Sequence, residues 1–249
     1  MSKTVLITGA SRGIGAATAL LAAKEGYAVA VNYASNSLAA DEVVRQIRAL
    51  GGQAMAVQAD VASEAQVLAM FEKIDARFGR LTALVNNAGV VDQTSRVDGM
   101  THERIKRMFE VNVFGSFLCA REAVKRMSTR YPGGEGGAIV NVSSAAARLG
   151  APGQYVDYAA AKGAIDTFTI GLAKEVASEG IRVNAVRPGI IETDIHASGG
   201  LPNRVRDLAP LVPMQRAGSA HEVAESIIWL LSEKASYTTG AVLDISGGR

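Results

Sequence analysis

The sequence predicts an α/β fold, a single doubly wound domain over residues 1–249 with about seven parallel strands and helices on both faces. Three observations carry this. Short β-branched runs alternate with longer helical patterns from one end of the chain to the other. Each run is apolar on both faces and free of proline, as parallel strands covered on two sides by helices must be. No proline-rich or glycine/serine linker divides the chain.

In order, residues 4–8, 28–32, 54–58, 83–86, 138–143, 182–187 and 241–245 read as strands. Residues 14–25, 38–50, 64–78, 102–127, 156–179 and 220–231 read as helices. Ser63 followed by Glu64 and Gln66 opens one helix in the manner of an N-cap with an acidic or amide first turn. Gly26, Gly51-Gly52, Gly79 and Gly180 fall where helices should stop. Two stretches are irregular: 131–137 (YPGGEGG) reads as a surface loop, and 191–213 as a lid beside the C-terminal edge of the sheet, where such folds place ligands.

Composition excludes several classes. Hydrophobic residues make up 48% and charged residues 20%, enough for a buried core and contrary to disorder. The net charge of +2 rests on 26 basic against 24 acidic residues, too thin a margin to imply nucleic acid or a membrane surface. The single cysteine, Cys119, has no partner for a disulfide or metal site and reads as a small buried hydrophobe. The start, Met1-Ser2-Lys3, lacks a signal-peptide layout, and no apolar run reaches the roughly 18–20 residues that span a bilayer. A soluble, cytoplasmic protein is expected.

Directly after the first strand comes Thr8-Gly9-Ala10-Ser11-Arg12-Gly13-Ile14-Gly15, and a helix follows at once. A dinucleotide site needs glycines here: for the tight turn, for backbone approach to the pyrophosphate, and for close packing of helix on sheet. The helix N-terminus then offers free N–H donors to the phosphates. The spacing is G-x-x-x-G-x-G rather than the usual G-x-G-x-x-G, and the setting in a βαβ unit makes it a Rossmann-type cofactor turn. The second strand ends in Asn32-Tyr33-Ala34-Ser35, without the acidic residue that binds a ribose 2′-hydroxyl. With Arg12 nearby, this favours NADP(H) over NAD(H).

At this point the sequence resembles the short-chain dehydrogenase/reductase family over essentially its whole length. The resemblance rests on Thr8–Gly15, Asp60-Val61, Asn86-Asn87-Ala88-Gly89, Asn112, Ser144, Tyr158-Ala159-Ala160-Ala161-Lys162 and Arg187-Pro188-Gly189, in family order and spacing. It implies a nicotinamide cofactor and Tyr158 as the general acid/base. Tyr158 and Lys162 are four apart in a helix and so share a face. The lysine ammonium, with the positive nicotinamide of the oxidised cofactor, is expected to lower the phenol's pKa, and by the resemblance the lysine also binds the nicotinamide ribose.

The resemblance further assigns Ser144 to the substrate oxygen, with Ser143 the competing candidate, and Asn112 to a water that links the lysine to solvent. Asp60 and Val61 would flank the adenine, and Asn87, Ala88 and Gly89 would lie along the cofactor. Pro188, Gly189, Ile191 and Thr193 would cradle the nicotinamide carboxamide and pyrophosphate. No metal is called for. A homotetramer is implied, built through helices near 114–127 and 156–179 and the last strand.

Among other residues, His102 and His221 read as surface positions, and His196 in the lid as a candidate for substrate contact. Gln154 and Tyr155 are candidates for the substrate pocket, Trp229 for core or subunit interface, and Arg126 with Arg130 for a solvated helix end. The expected function is NADP(H)-dependent hydride transfer to or from a small-molecule carbonyl or secondary alcohol. Members acting on 3-oxoacyl carrier proteins and on sugars are resembled alike. The alternatives are an NAD-dependent sugar or alcohol dehydrogenase, and a silent nucleotide-binding sensor, which the full Ser144–Tyr158–Lys162–Asn112 set disfavours. With the last strand followed directly by Gly247-Gly248-Arg249, an added substrate domain of the epimerase kind is not expected.

Overall fold

The expected strands assemble into one seven-stranded sheet in which every neighbouring pair is parallel. The computed structural model describes residues 3–193 and 199–249. The strands are β1 (Lys3–Ile7), β2 (Tyr27–Tyr33), β3 (Ala54–Gln58), β4 (Ala83–Asn86), β5 (Gly137–Val142), β6 (Ile181–Pro188) and β9 (Val242–Ile245). Their order is β3-β2-β1-β4-β5-β6-β9, so the direction of winding reverses between β1 and β4. In doubly wound sheets the crevice beyond the carboxyl ends at such a reversal is where a ligand fits.

Alternation along the strands builds two core layers. Val5, Ile7, Val29, Val31, Val85 and Val140 face one side, under α1 (Gly13–Lys24), α2 (Ser37–Ala49) and the helix Ala220–Leu231. Leu6, Ala30, Leu84, Ile139 and Val183 face the other, under α3 (Glu64–Phe78), α5 (Gly115–Met127) and α7 (Val156–Val176). Both faces are dry, which is why the strands are apolar throughout rather than alternating. Cys119 is fully buried there, and burial pushes its thiol up to about 12, so it packs as a hydrophobe.

Some boundaries differ from the sequence reading. The helix expected over 102–127 is α4 (His102–Phe109), a π-turn Glu110–Phe114 and α5. Asn112 lies in this turn, and its Nδ2 donates to Met108 O at 3.0 Å and to Val90 O at 3.0 Å, tying the turn to the loop after β4. The helix expected to run to 179 ends at Val176, with a 3-10 turn Ala177–Glu179 before Gly180. Ser63 does precede α3, but its hydroxyl caps nothing; Gln66 instead accepts from Asp60 N at 2.9 Å. A separate pair of two-residue parallel strands, β7 (Ile191–Glu192) and β8 (Gly218–Ser219), was not expected.

Candidate active site

The glycine turn is held from beneath by side chains. Thr8 Oγ1 accepts from Asn87 N and Ala88 N at 2.9 Å, and Asn87 Nδ2 donates to Thr8 O and Gly9 O. Asn32, 1% exposed, accepts from Gly9 N at 3.1 Å and donates to Val57 O and Ala59 O, tying β1's turn to the ends of β2 and β3. A Cβ on Gly15 would lie 2.6 Å from Asn87 Nδ2 and from Gly9 O, so only glycine lets α1 start this close to the turn. Helix α1 has neither a side-chain cap nor an acid in its first turn, leaving its N–H groups to face the crevice. That donor set fits the pyrophosphate of a dinucleotide.

A cavity of about 590 Å³ runs along the carboxyl ends of the strands. It is lined by Gly9, Ser11, Arg12, Gly13 and Ile14, then by Asn32, Tyr33, Ala34 and Ser35. Asp60 and Val61 follow, then Asn87, Ala88 and Gly89, and at the far side Pro188, Gly189, Ile191 and Thr193. Gly15 and Asn112 do not line it: the first is a packing residue, the second lies beneath. Arg12 is exposed at the helix start. Among the described residues, Asp60 is the one side-chain carboxylate lining the cavity, and its Oδ1 already accepts from Ala62 N at 3.0 Å.

The same cavity reaches Ser144, Tyr158 and Lys162. Lys162 is 4% exposed; its Nζ donates to Val142 O at 2.8 Å and lies 5.6 Å from the centre of the Tyr158 ring. Burial pushes this lysine down to about 8, opposed by the carboxylate of Asp166 one turn on. Asp166 is itself held by Arg187 at 2.9 Å. Burial raises the Tyr158 phenol above its ordinary value, while the Ser144 hydroxyl beside it pulls the other way. Without a dinucleotide, burial is the larger influence on this phenol; the lowering expected from the ammonium acts together with an oxidised nicotinamide.

The two serines separate by direction. Ser143, 2% exposed, donates its hydroxyl to Lys162 O at 3.1 Å and is spent on fixing β5 to α7. The Ser144 hydroxyl accepts from Ala146 N at 3.1 Å, keeps its proton to donate, and stands beside Tyr158. Asn112 is fully buried; beyond its Nδ2 bonds, its Oδ1 accepts from Val90 N at 3.2 Å. A Cβ on Gly89 would meet that Oδ1 at 2.7 Å and Lys162 Nζ at 3.5 Å, so the absence of a side chain keeps the space above the lysine open.

Of the other candidates, Tyr155 lines the cavity. Gln154 does not line it, but its Oε1 accepts from Arg204, which does, at 2.7 Å. Arg107, Arg204 and Arg249 also line it, and the sequence reading missed all three. His196, like 194–198 of the expected lid, lies outside the described residues. His102 and His221 are exposed, and Trp229 is 40% exposed, which excludes the core for it. Arg126 is no free helix end: it pairs with Asp75 at 2.7 Å and Glu122 at 3.2 Å, while Arg130 pairs with Glu179 at 3.0 Å.

Comparison with known proteins agrees with this geometry. A family model described as enoyl-(acyl carrier protein) reductase matches residues 9–249. An uncharacterized oxidoreductase of Escherichia coli, YgfF, is 60% identical over 98% of this chain and 98% of its own. A 3-oxoacyl-[acyl-carrier-protein] reductase, FabG, of Staphylococcus aureus is 38% identical over 100% of this chain and 98% of its own. A double mutant of a Serratia marcescens short-chain dehydrogenase/reductase superposes with a TM-score of 0.90 at 32% identity, covering 99% of this chain and 97% of that one.

Proposed function

Since the chain belongs to the short-chain dehydrogenase/reductase family of oxidoreductases, we propose that it transfers a hydride between NADP(H) and a small-molecule carbonyl or secondary alcohol. The observation that carries the reading is the meeting of Tyr158, Lys162 and Ser144 at one end of a cavity whose other end is the glycine turn. The cofactor, when bound, supplies or accepts the hydride.

In reduction, the carbonyl oxygen accepts hydrogen bonds from the Ser144 and Tyr158 hydroxyls. As hydride adds to the carbon, the C=O π pair moves to oxygen, and the Tyr158 proton follows it. A phenol kept above its ordinary pKa is protonated at neutral pH and so is ready to donate. Lys162, fixed by Val142 O, keeps a positive charge near the phenolate that results. Asn112 holds Val90 and the π-turn in place behind the lysine. Oxidation follows the same steps backwards.

NADP(H) is favoured over NAD(H) because Asn32, Tyr33, Ala34 and Ser35 bring no carboxylate to the ribose end and Arg12 brings a guanidinium. A 2′-phosphate gains from the second and is not repelled by the first. A homotetramer in the cytoplasm completes the proposal. In its favour, the π-turn leaves Phe114 exposed, α5 Phe117 and α7 Ile170, with Phe117 stacked on Phe168. No helix among the described residues is long and apolar enough to cross a membrane.

The test is separate titration of NADPH and NADH, repeated with Arg12→Ala. The expected result is NADPH binding at least about tenfold tighter, roughly 1.4 kcal/mol, with the gap narrowed in the variant. NADH binding equally well would overturn the NADP(H) assignment, and binding of neither would remove the hydride-transfer reading altogether.

A further inference from the structure

The sheet order gives the cavity two ends of different character. Asp60 follows β3 and Arg249 follows β9, at opposite edges of the sheet. Six strand spacings of about 4.8 Å separate those edges by roughly 29 Å. The carboxylate lining the cavity therefore sits at the β3 edge. Ser144 and Tyr158 belong to the β5 side, where Lys162, Arg204 and Arg249 stand among the described lining residues; Arg107, on α4, lines the cavity as well. Lys162 is committed to Val142 O, but Arg204 and Arg249 are not accounted for by hydride transfer.

Arg204 stands on the short helix Arg204–Leu208, half-buried, with its guanidinium carbon 5.4 Å from the centre of the Tyr155 ring. Among the described residues it makes no ion pair. Gln154 takes one of its five N–H donors, at 2.7 Å. An aromatic face and a neutral amide orient a guanidinium without neutralising it, whereas a carboxylate partner would spend its fork. Burial pushes this arginine down from its ordinary value, and the neighbouring charge of Arg249 pushes the same way. Two like charges sharing one wall are relieved by an anion between them. Gln154 and Tyr155 stand one turn ahead of Tyr158, so that anion would lie a short chain's length from the reacting carbon.

We propose that Arg204, oriented by Gln154 and Tyr155 and assisted by Arg249, binds an anionic group, a carboxylate or a phosphate, carried by the carbonyl or alcohol substrate. The inference rests on the hydride-transfer reading above and narrows it: the substrate is an oxo acid or oxo phosphate rather than a neutral ketone or free sugar. Arg204 then acts as a specificity-determining residue, using a bidentate contact to hold the far end of the substrate while Ser144 and Tyr158 hold the oxygen.

The experiment follows reduced dinucleotide consumption with paired probes. One arm sets acetoacetate and 4-oxopentanoate against their methyl esters; the other sets dihydroxyacetone phosphate against dihydroxyacetone. Each pair is run with the unaltered protein, Arg204→Ala and Arg204→Lys, and the charged-to-neutral ratio of kcat/KM is taken within each protein. A general loss of order around the Arg204 helix then cancels. At least one charged probe is expected to exceed its neutral partner by about tenfold or more, with the arm in which it does so naming carboxylate or phosphate. Arg204→Ala should lower that charged probe by roughly tenfold to a hundredfold, mainly through KM, and leave the neutral partner within about threefold. Arg204→Lys should recover part of the preference.

An equal loss for charged and neutral partners would make Arg204 a latch for its helix and overturn the proposal. So would neutral probes that are reduced as well as, or in place of, every charged one. Failure of all probes together with failure to bind either dinucleotide overturns the hydride-transfer reading itself, a result distinct from the loss of charge preference.

Discussion

Replacing Lys162 with methionine should abolish turnover and make the cofactor-free protein more stable at neutral pH. The ammonium is 4% exposed, and burial lowers its pKa from the ordinary 10.5 to about 8. That drop corresponds to about 3 kcal/mol of unfavourable interaction with the charged form. Methionine fills a similar volume without the charge, but forfeits the bond to Val142 O, a charge-assisted contact worth about 1.5–2 kcal/mol. The net gain expected at pH 7 is about 1–2 kcal/mol. The pH dependence fixes the cause. Below pH 8 both folded and unfolded lysine are protonated and the full penalty stands. Between pH 8 and 10.5 the folded state releases its proton while the unfolded chain keeps it, so the parent protein's unfolding free energy rises relative to the variant's. About 1.4 kcal/mol of the variant's advantage is lost by pH 9. Urea unfolding of both proteins at pH 7, 8 and 9, at one protein concentration, reads this directly. A variant less stable than its parent at pH 7, or a difference that does not move with pH, would refute the reasoning.

Three further outcomes follow from the same geometry. The second-order rate of carbonyl reduction should fall as pH rises through about 8, because Lys162 loses its charge there while Tyr158, raised by burial, remains protonated; a profile flat from pH 6 to 10 would contradict it. Gly15→Ala places a methyl group 2.6 Å from Asn87 Nδ2 and Gly9 O and should weaken dinucleotide binding by more than about tenfold, measured by titration beside a circular dichroism control. Arg104→Met strands the carboxylate of Asp157, whose side chain is 2% exposed and whose Oδ1 also accepts from Tyr158 N. Breaking that pair should cost about 3 kcal/mol in urea unfolding; a loss under about 1 kcal/mol would show that water reaches the site.

The seven strands and their helices were legible because each strand carries its own signal, apolar on two faces, and each crossover is long enough to show its period. β7 and β8 were not, since two residues have no period to read. The π-turn adds one residue to a helical repeat, and a polar residue at 112 reads as an ordinary helix position until Val90 and Met108 are seen to receive its amide. Ser143 and Ser144 are chemically identical in sequence. Both line the cavity, and what divides them is where each hydroxyl points: Ser143 donates to Lys162 O on α7, and Ser144 stands beside the Tyr158 phenol. Arg204 lay inside an irregular stretch, and only the chain's path brings it back over Gln154 and Tyr155. The burial that raises the Tyr158 phenol was hidden for a related reason. A spacing of four shows that two side chains are neighbours, but not how much water either has lost.

At the cofactor end, residues that line the cavity also hold the glycine turn in shape. Asn32 and Asn87 both line the cavity while their side chains hold backbone: Asn32 bonds to Gly9, Val57 and Ala59, and Asn87 Nδ2 donates to Thr8 and Gly9. What the turn offers outward is main chain, chiefly the uncapped N–H groups of α1, and main chain cannot tell one dinucleotide from another. Discrimination must then fall to side chains that line the cavity and remain solvated. Beside the start of α1 and the end of β2 these include Arg12, Tyr33, Ser35 and Asn36. An acidic residue at position 35 would set a carboxylate against the 2′-phosphate without disturbing the fold. The same change at position 32 would leave Val57 O and Ala59 O without their donor and bury a charge, so it would damage the turn for every dinucleotide alike.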